Sequence, residues 1–269
     1  MEKSVKNRLR KLGIRPTKSL GQNFLENENI AKKIVRSANI TESDKILEIG
    51  PGLGILTNYI VDRAGKTILI EKDVSLASYL DGRFSNYEIE IIQEDVLEVE
   101  LPDFDKVVSN LPFSISSPIT FKLLKCDFKV GILTYQEQFA ERMMAEVGEE
   151  NYSRLSVMIS VYADVKKLFN ISKKSFYPPP KVDATVIRLI PSRPDFEIKN
   201  KNIFSKVVKE LFNYRRKKIK NALNTGMDLD VEKVPYGEKR VGNISPKQIN
   251  EIVNHLIEEK IICKDISND

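Results

Sequence analysis

The feature that most restricts what this chain can fold into is a short apolar run ending on three alternating glycines. It reads Ile46-Leu47-Glu48-Ile49, then Gly50-Pro51-Gly52-Leu53-Gly54. An apolar run this short, bounded by a turn signal, reads as a buried strand. The glycines permit a tight turn through left-handed backbone, close enough for a ligand to approach the main chain. A helix is predicted from Ile55 to near Gly65, and strands follow at residues 67–71, 89–92, 106–109 and 130–134. Strands alternating with helices build a parallel sheet covered on both faces. Two late strands, 165–171 and 184–190, flank a proline turn at Tyr177-Pro178-Pro179-Pro180. The expected fold class is therefore α/β, a Rossmann-like and mostly parallel seven-stranded sheet, with a small all-α domain after it.

Helical spacing is legible elsewhere. Ile30, Ile34 and Ala38 fall on one face of a helix that Asn27 can cap, and helices are also predicted over 136–147 and within 155–163. After Pro191-Ser192-Arg193-Pro194, which reads as a linker, the strand rhythm stops. Phe204, Val207, Val208, Leu211 and Phe212 line one helical face. In the last helix Ser245 and Gln248 form a capping box, Pro246 takes the first position, and Ile249, Ile252, Val253, Leu256 and Ile257 make the buried stripe. The expected division is residues 1–192 for the sheet domain, including a basic N-terminal arm, and 193–269 for a helical domain.

Charge narrows the partner. The net charge is +5, but seven basic residues and one acidic residue lie between Met1 and Lys18, and the same numbers lie between Lys206 and Lys220. Two cationic segments on an otherwise acidic chain are a footprint for a polyanion, here nucleic acid rather than membrane. No apolar run approaches the ~20 residues of a membrane-spanning helix, and the basic N-terminus has no apolar stretch of the secretory kind. Cys126 and Cys263 have no metal-type spacing, so no metal site is expected. A soluble, cytoplasmic monomer is the expectation.

The chemistry gathers at the ends of the early strands. Glu71 lies 21 residues after Gly50 at the end of the second strand, where a carboxylate can hold two ribose hydroxyls. A nicotinamide dehydrogenase would share this layout, but the position for the third glycine of its G-x-G-x-x-G turn holds Ile55. Gly-x-Gly-x-Gly behind an acid instead suits S-adenosylmethionine, which has a ribose and no pyrophosphate. Asp95, after the third strand, can accept a hydrogen bond from the exocyclic amine of the cofactor adenine. Asn110-Leu111-Pro112-Phe113 follows the fourth strand. An adenine amine is a poor nucleophile because its lone pair is delocalised into the ring. The Asn110 side-chain oxygen and the Pro112 carbonyl, or its neighbour's, can accept both amine hydrogens and turn the lone pair toward a methyl donor. Phe113 offers a stacking face for an extruded base.

On these residues the chain resembles the ribosomal RNA adenine N6,N6-dimethyltransferases that modify two adjacent adenosines near the 3′ end of small-subunit, 16S-type RNA. The resemblance runs through Gly21-Gln22-Asn23-Phe24-Leu25, the glycine turn, Glu71, Asp95 and Asn110-Leu111-Pro112-Phe113. It continues through Gln136 with Arg142, Tyr152-Ser153-Arg154-Leu155-Ser156-Val157 and Phe176-Tyr177-Pro178-Pro179-Pro180-Lys181-Val182. Phe212-Asn213-Tyr214-Arg215-Arg216-Lys217 and Asn243-Ile244-Ser245-Pro246 complete it. It implies a class I methyltransferase fold, S-adenosylmethionine as cofactor, and the small ribosomal subunit or its precursor as partner. It also implies that Asn23 and Leu25 line the methionine end above Gly50, Gly52 and Gly54, and that Asn110 serves both cofactor and target amine. Phe176 would sandwich the target base against Phe113, where many members carry Tyr. Arg215, Arg216, Lys217 and Lys218, with the N-terminal arm, would grip RNA phosphates. A large-subunit adenine methyltransferase and a non-catalytic assembly or transcription factor on the same fold are the alternatives.

Overall fold

The computed structural model describes residues 4–16, 21–229, 231 and 233–262. Lys3, Lys18 and Cys263 lie outside the described residues. The strands are β1 (Phe24–Leu25), β2 (Lys45–Ile49), β3 (Lys66–Ile70), β4 (Ile89–Ile92), β5 (Lys106–Asn110), β6 (Val130–Gln136), β7 (Ala163–Ile171), β8 (Phe176–Tyr177) and β9 (Ala184–Pro191). The helices are α1 (Val5–Lys11), α2 (Glu28–Arg36), α3 (Thr57–Ile60), α4 (Val74–Phe84), α5 (Ser116–Leu123), α6 (Glu137–Met144), α7 (Arg154–Tyr162), α8 (Lys201–Asn213), α9 (Ile219–Met227) and α10 (Pro246–Glu258).

Seven strands form one sheet in the order β4-β3-β2-β5-β6-β9-β7. The first five run parallel to their neighbours, and β9 returns antiparallel against β6. Leu47, Ile49, Leu69, Val107, Val108, Ile132 and Leu133 are buried, as expected of strands covered on both faces. Chain order reverses direction across the sheet at β2 and β5, so their carboxyl ends open the crevice where ligands bind in sheets of this kind. An ion pair fixes these two strands at their other ends. Lys106 Nζ lies 2.8 Å from Asp44 Oδ2 and donates to the Asn39 carbonyl at 2.7 Å, with both side chains largely buried. A second, two-stranded sheet joins distant segments, because Phe24 pairs with Tyr177 and Leu25 with Phe176.

The caps read from sequence are present. Asn27 Oδ1 accepts from the Asn29 and Ile30 amides, and Ser245 and Gln248 bond reciprocally. Two local differences have physical causes. The helix expected from Ile55 shrinks to Thr57–Ile60, because three-residue turn bonds flank it: the Gly54 amide donates to Pro51 O and the Arg63 amide to Ile60 O. Gln136, expected in a helix, ends β6 instead, where its backbone pairs with Ala184.

The chain divides into two compact units, one of residues Met1–Ala140 and Val165–Pro191, the other of Glu141–Asp164 and Ser192–Asp269. The cut expected between 192 and 193 therefore leaves out a segment that belongs with the C-terminal helices. Tyr152 explains why: its hydroxyl donates to Ile244 O at 2.9 Å, its ring meets Phe212 edge-on at 5.5 Å, and its carbonyl accepts from Arg215 Nε at 2.7 Å. The remaining core of that unit draws on the apolar faces of α7, α8, α9 and α10, including Val157, Phe204, Val208, Leu211, Leu223, Ile252 and Leu256.

Candidate active site

The turn after β2 passes through left-handed backbone at Gly50, Gly52 and Gly54, with φ of 62°, 58° and 73°. At Gly50 a Cβ would sit 3.2 Å from the Pro112 ring, and at Gly52 one would sit 2.9 Å from the Phe24 ring. The glycine turn therefore touches both the segment after β5 and the segment of β1. Together these walls enclose a cleft lined by Asn23, Leu25, Gly50, Gly52, Glu71, Asp95, Asn110, Leu111, Pro112 and Phe113.

Each polar group is held in a definite way. The Glu71 carboxylate accepts from the Gly52 amide at 3.1 Å and the Asp73 amide at 3.0 Å, and burial raises its pKa against those bonds. Glu48, beneath the turn, is almost wholly buried. Burial pushes its pKa up to about 8 against a hydrogen bond from Thr57, and Glu71 adds to the rise, which favours the protonated form. Asp95 stays ionised: Lys72 pairs with it at 2.8 Å, the Leu97 amide donates to it at 2.9 Å, and its pKa is lowered.

Asn110 ends β5 at the cleft wall. Its Nδ2 donates to the Asn23 carbonyl at 3.2 Å, which turns its Oδ1 the other way. That oxygen is buried and has no hydrogen-bond partner among the described residues. A buried acceptor left unpaired is costly, so such a group marks a place for a donor. Pro112 O accepts from the Ile115 amide at 3.1 Å and keeps one lone pair. Phe113 is half-buried and lines the cleft at the start of a short 3₁₀ turn.

Residues 14–258 match the family described as ribosomal RNA adenine dimethylase. The chain belongs to that family. A probable ribosomal RNA small subunit methyltransferase A of Thermococcus sibiricus is 42% identical over 276 residues, covering 97% of this chain and all of the relative. One of the same description from Methanococcoides burtonii is 42% identical over 94% of this chain and 97% of its own. Among solved structures, a dimethyladenosine transferase from Plasmodium falciparum superposes with a TM-score of 0.78 at 31% identity, covering 89% of this chain and 98% of that one. The 23S rRNA methyltransferase ErmE gives 0.69 at 25%, covering 87% and 99%.

In this adenine dimethylase the expected site residues do not all fall in the cleft. Gly54 does not line it; a Cβ there would meet Phe84 at 2.7 Å, so this glycine serves packing against α4. Phe176 is 2% exposed and meets Phe113 edge-on, with centroids 6.4 Å apart and planes at 65°. That arrangement leaves no slot for a flat base between the two rings, so Phe176 supports Phe113 from the core. Arg215 is committed inside its own unit, donating to the Tyr152 and Glu149 carbonyls. Arg216, Lys217 and Lys218 are exposed; Lys218 pairs with Glu238 at 2.7 Å and Lys217 with Thr225 at 3.0 Å.

Other residues were missed in sequence. Arg83 binds the Leu53 carbonyl at 2.9 Å and so pins the glycine turn. Val5 and Arg8 belong to the cleft wall, because α1 does not hang free as an arm but buries Val5 and Leu9 against Phe24, Leu53 and Leu76. The V-x-x-x-L spacing was the available signal, hidden by the basic residues around it. The lining suits S-adenosylmethionine: Glu71 can accept from ribose hydroxyls, the glycines leave room that a Cβ would fill, and Asn110 offers an unpaired acceptor. Among the described residues no group of three His, Cys, Asp or Glu is placed to hold a metal ion, and no helix is long and apolar enough to cross a membrane.

Proposed function

We propose that this chain dimethylates the N6 amines of two adjacent adenosines near the 3′ end of small-subunit ribosomal RNA, in the cytoplasm and during ribosome assembly. The unpaired Asn110 Oδ1 in the cleft wall carries the reading. Family membership supports the reaction, and the description shared by relatives 42% identical supports the small subunit over the large. The likeness to a 23S enzyme is weaker, at 25%.

In this reading Glu71 holds the ribose of S-adenosylmethionine, Asp95 faces its adenine, and Asn23, Leu25, Gly50 and Gly52 border its methionine portion. The cofactor supplies an electrophilic methyl group on sulfur. The chain's own residues do the positioning. Asn110 Oδ1 accepts one hydrogen of the target amine, and the free lone pair of the Pro112 carbonyl, or the Leu111 carbonyl beside it, accepts the other. A nitrogen held by two acceptors pyramidalises and its lone pair leaves the ring. Phe113 stacks on the extruded base, and the leaving proton passes to solvent. Holding both reactants in register makes the step effectively unimolecular, which can lower a barrier by ~7 kcal/mol or more.

The test is incubation with labelled S-adenosylmethionine and unmodified small subunits, then digestion to nucleosides. N6,N6-dimethyladenosine from the small-subunit RNA is expected. Label confined to large-subunit RNA, or none in either, overturns the reading. Asn110→Ala should bind S-adenosylhomocysteine nearly as the parent does and lose turnover by roughly 10²-fold or more, the scale of removing one preorganised polar contact.

A further inference from the structure

α1 carries Val5, Arg8 and Leu9 on one face, at positions i, i+3 and i+4, and Val5 and Arg8 of these line the cleft. Val5 and Leu9 are 1% and 2% exposed and pack with Phe24 and Leu53, the side chains flanking Asn23, Leu25 and Gly52. Arg8 lines the cleft between them, and its Nε is buried without a hydrogen-bond partner among the described residues. No carboxylate among those residues lies within ion-pair distance of it, although Glu71, Glu94 and Asp95 line the same cleft. A guanidinium is always charged and offers a planar fork of donors that matches a carboxylate in two parallel bonds. Leaving one of those donors buried and unmatched disfavours the empty protein.

We propose that Arg8 is a cofactor-binding residue that pairs with the carboxylate of the methionine portion. The inference rests on the cofactor reading above. Of the groups S-adenosylmethionine carries, the carboxylate is the only anion. The side chains packed around α1 border the part of the cleft assigned to the amino-acid end, whereas Asp95 and its partner Lys72 mark the adenine end. The N-terminal helix therefore contributes to cofactor affinity through one charged contact, and the basic residues beside it, Arg10 and Lys11, remain on its outer side.

Calorimetric titration with two probes tests this. S-adenosylhomocysteine carries the carboxylate; 5′-methylthioadenosine has the same adenine, ribose and sulfur without the amino acid. Arg8→Ala should weaken S-adenosylhomocysteine binding 10- to 100-fold and leave 5′-methylthioadenosine within about twofold. Arg8→Lys should recover part of the loss. Equal weakening of both probes would overturn the proposal and make Arg8 a packing residue of α1. No weakening of either, with poorer binding of small-subunit RNA, would overturn it by placing the guanidinium on a phosphate. Failure of the unaltered protein to bind either probe would instead remove the cofactor reading and the proposal with it.

Discussion

A single carboxyl group under the glycine turn couples the site to pH. Glu48 has a pKa of about 8 in the folded chain, raised chiefly by burial, against an ordinary value of 4.5. The folded form thus holds a proton that the unfolded chain releases, and stability falls as pH rises through the window from 4.5 to about 8. Glu48→Gln keeps a neutral side chain at all pH values. Its melting temperature should exceed that of the parent at pH 9, with the gap closing as pH falls below 4.5, read by thermal denaturation across the series. Gly54 makes a second residue-scale case. Gly54→Ala forces a Cβ to 2.7 Å from Phe84 at a φ of 73°. The expected loss is about 2 kcal/mol or more of stability, read as a lower denaturation midpoint, with S-adenosylhomocysteine affinity largely kept in the folded fraction.

Two strands, β2 and β5, bring the glycine turn and Asn110 together, and their alignment depends on groups at both ends. Ser109 Oγ donates to Ile49 O at 2.6 Å beside the cleft, while Asp44 and Lys106 pair at the far edge. Burial alone would raise the Asp44 pKa, but Lys106 and the Thr41 bonds outweigh it and hold it at about 2. Removing one member strands the other as a buried charge. Asp44→Ala should cost about 3 kcal/mol of stability, whereas the double variant Asp44→Ala with Lys106→Met should recover part of it. Chemical denaturation of the three proteins checks this; equal midpoints for single and double variants would deny the pair its role. β1 with β8 is the other pairing that matters. It carries Asn23 and Leu25 to the cleft and seats Phe176 behind Phe113.

For the whole molecule, the second unit supplies the exposed cations expected to meet RNA. Reversing Arg216, Lys217 and Lys218 to Glu should weaken small-subunit RNA binding and lower the slope of log affinity against log salt by about 2, at ~0.7 for each phosphate no longer neutralised. S-adenosylhomocysteine affinity should not change, and filter binding across salt concentrations reads the slope. Arg215 is left out of that set for a structural reason. Its two backbone acceptors tie α8's end to the 149–152 segment, so charge reversal there would disrupt the fold and mimic a binding defect.

Periodicity and turn chemistry in the chain were enough for the seven strands, the caps at Asn27 and Ser245, the glycine turn and the place of Asn110 at the end of its strand, because each depends on neighbours a few residues away. The same local reading put Gly54 in the cleft, missed α1 as part of it and gave Arg215 to RNA, while the family resemblance alone set Phe176 against the target base. Those four turn on packing or bonding with Phe84, Phe113, Leu53 and Tyr152, each 30 or more residues distant in sequence. The unit boundary went astray for the same cause, since the Tyr152 hydroxyl finds its acceptor at Ile244. Backbone preference is a property of a short window, whereas burial and the pairing of polar groups are settled only when remote surfaces close on one another. An amide oxygen left unpaired in a cleft wall is therefore visible in three dimensions alone.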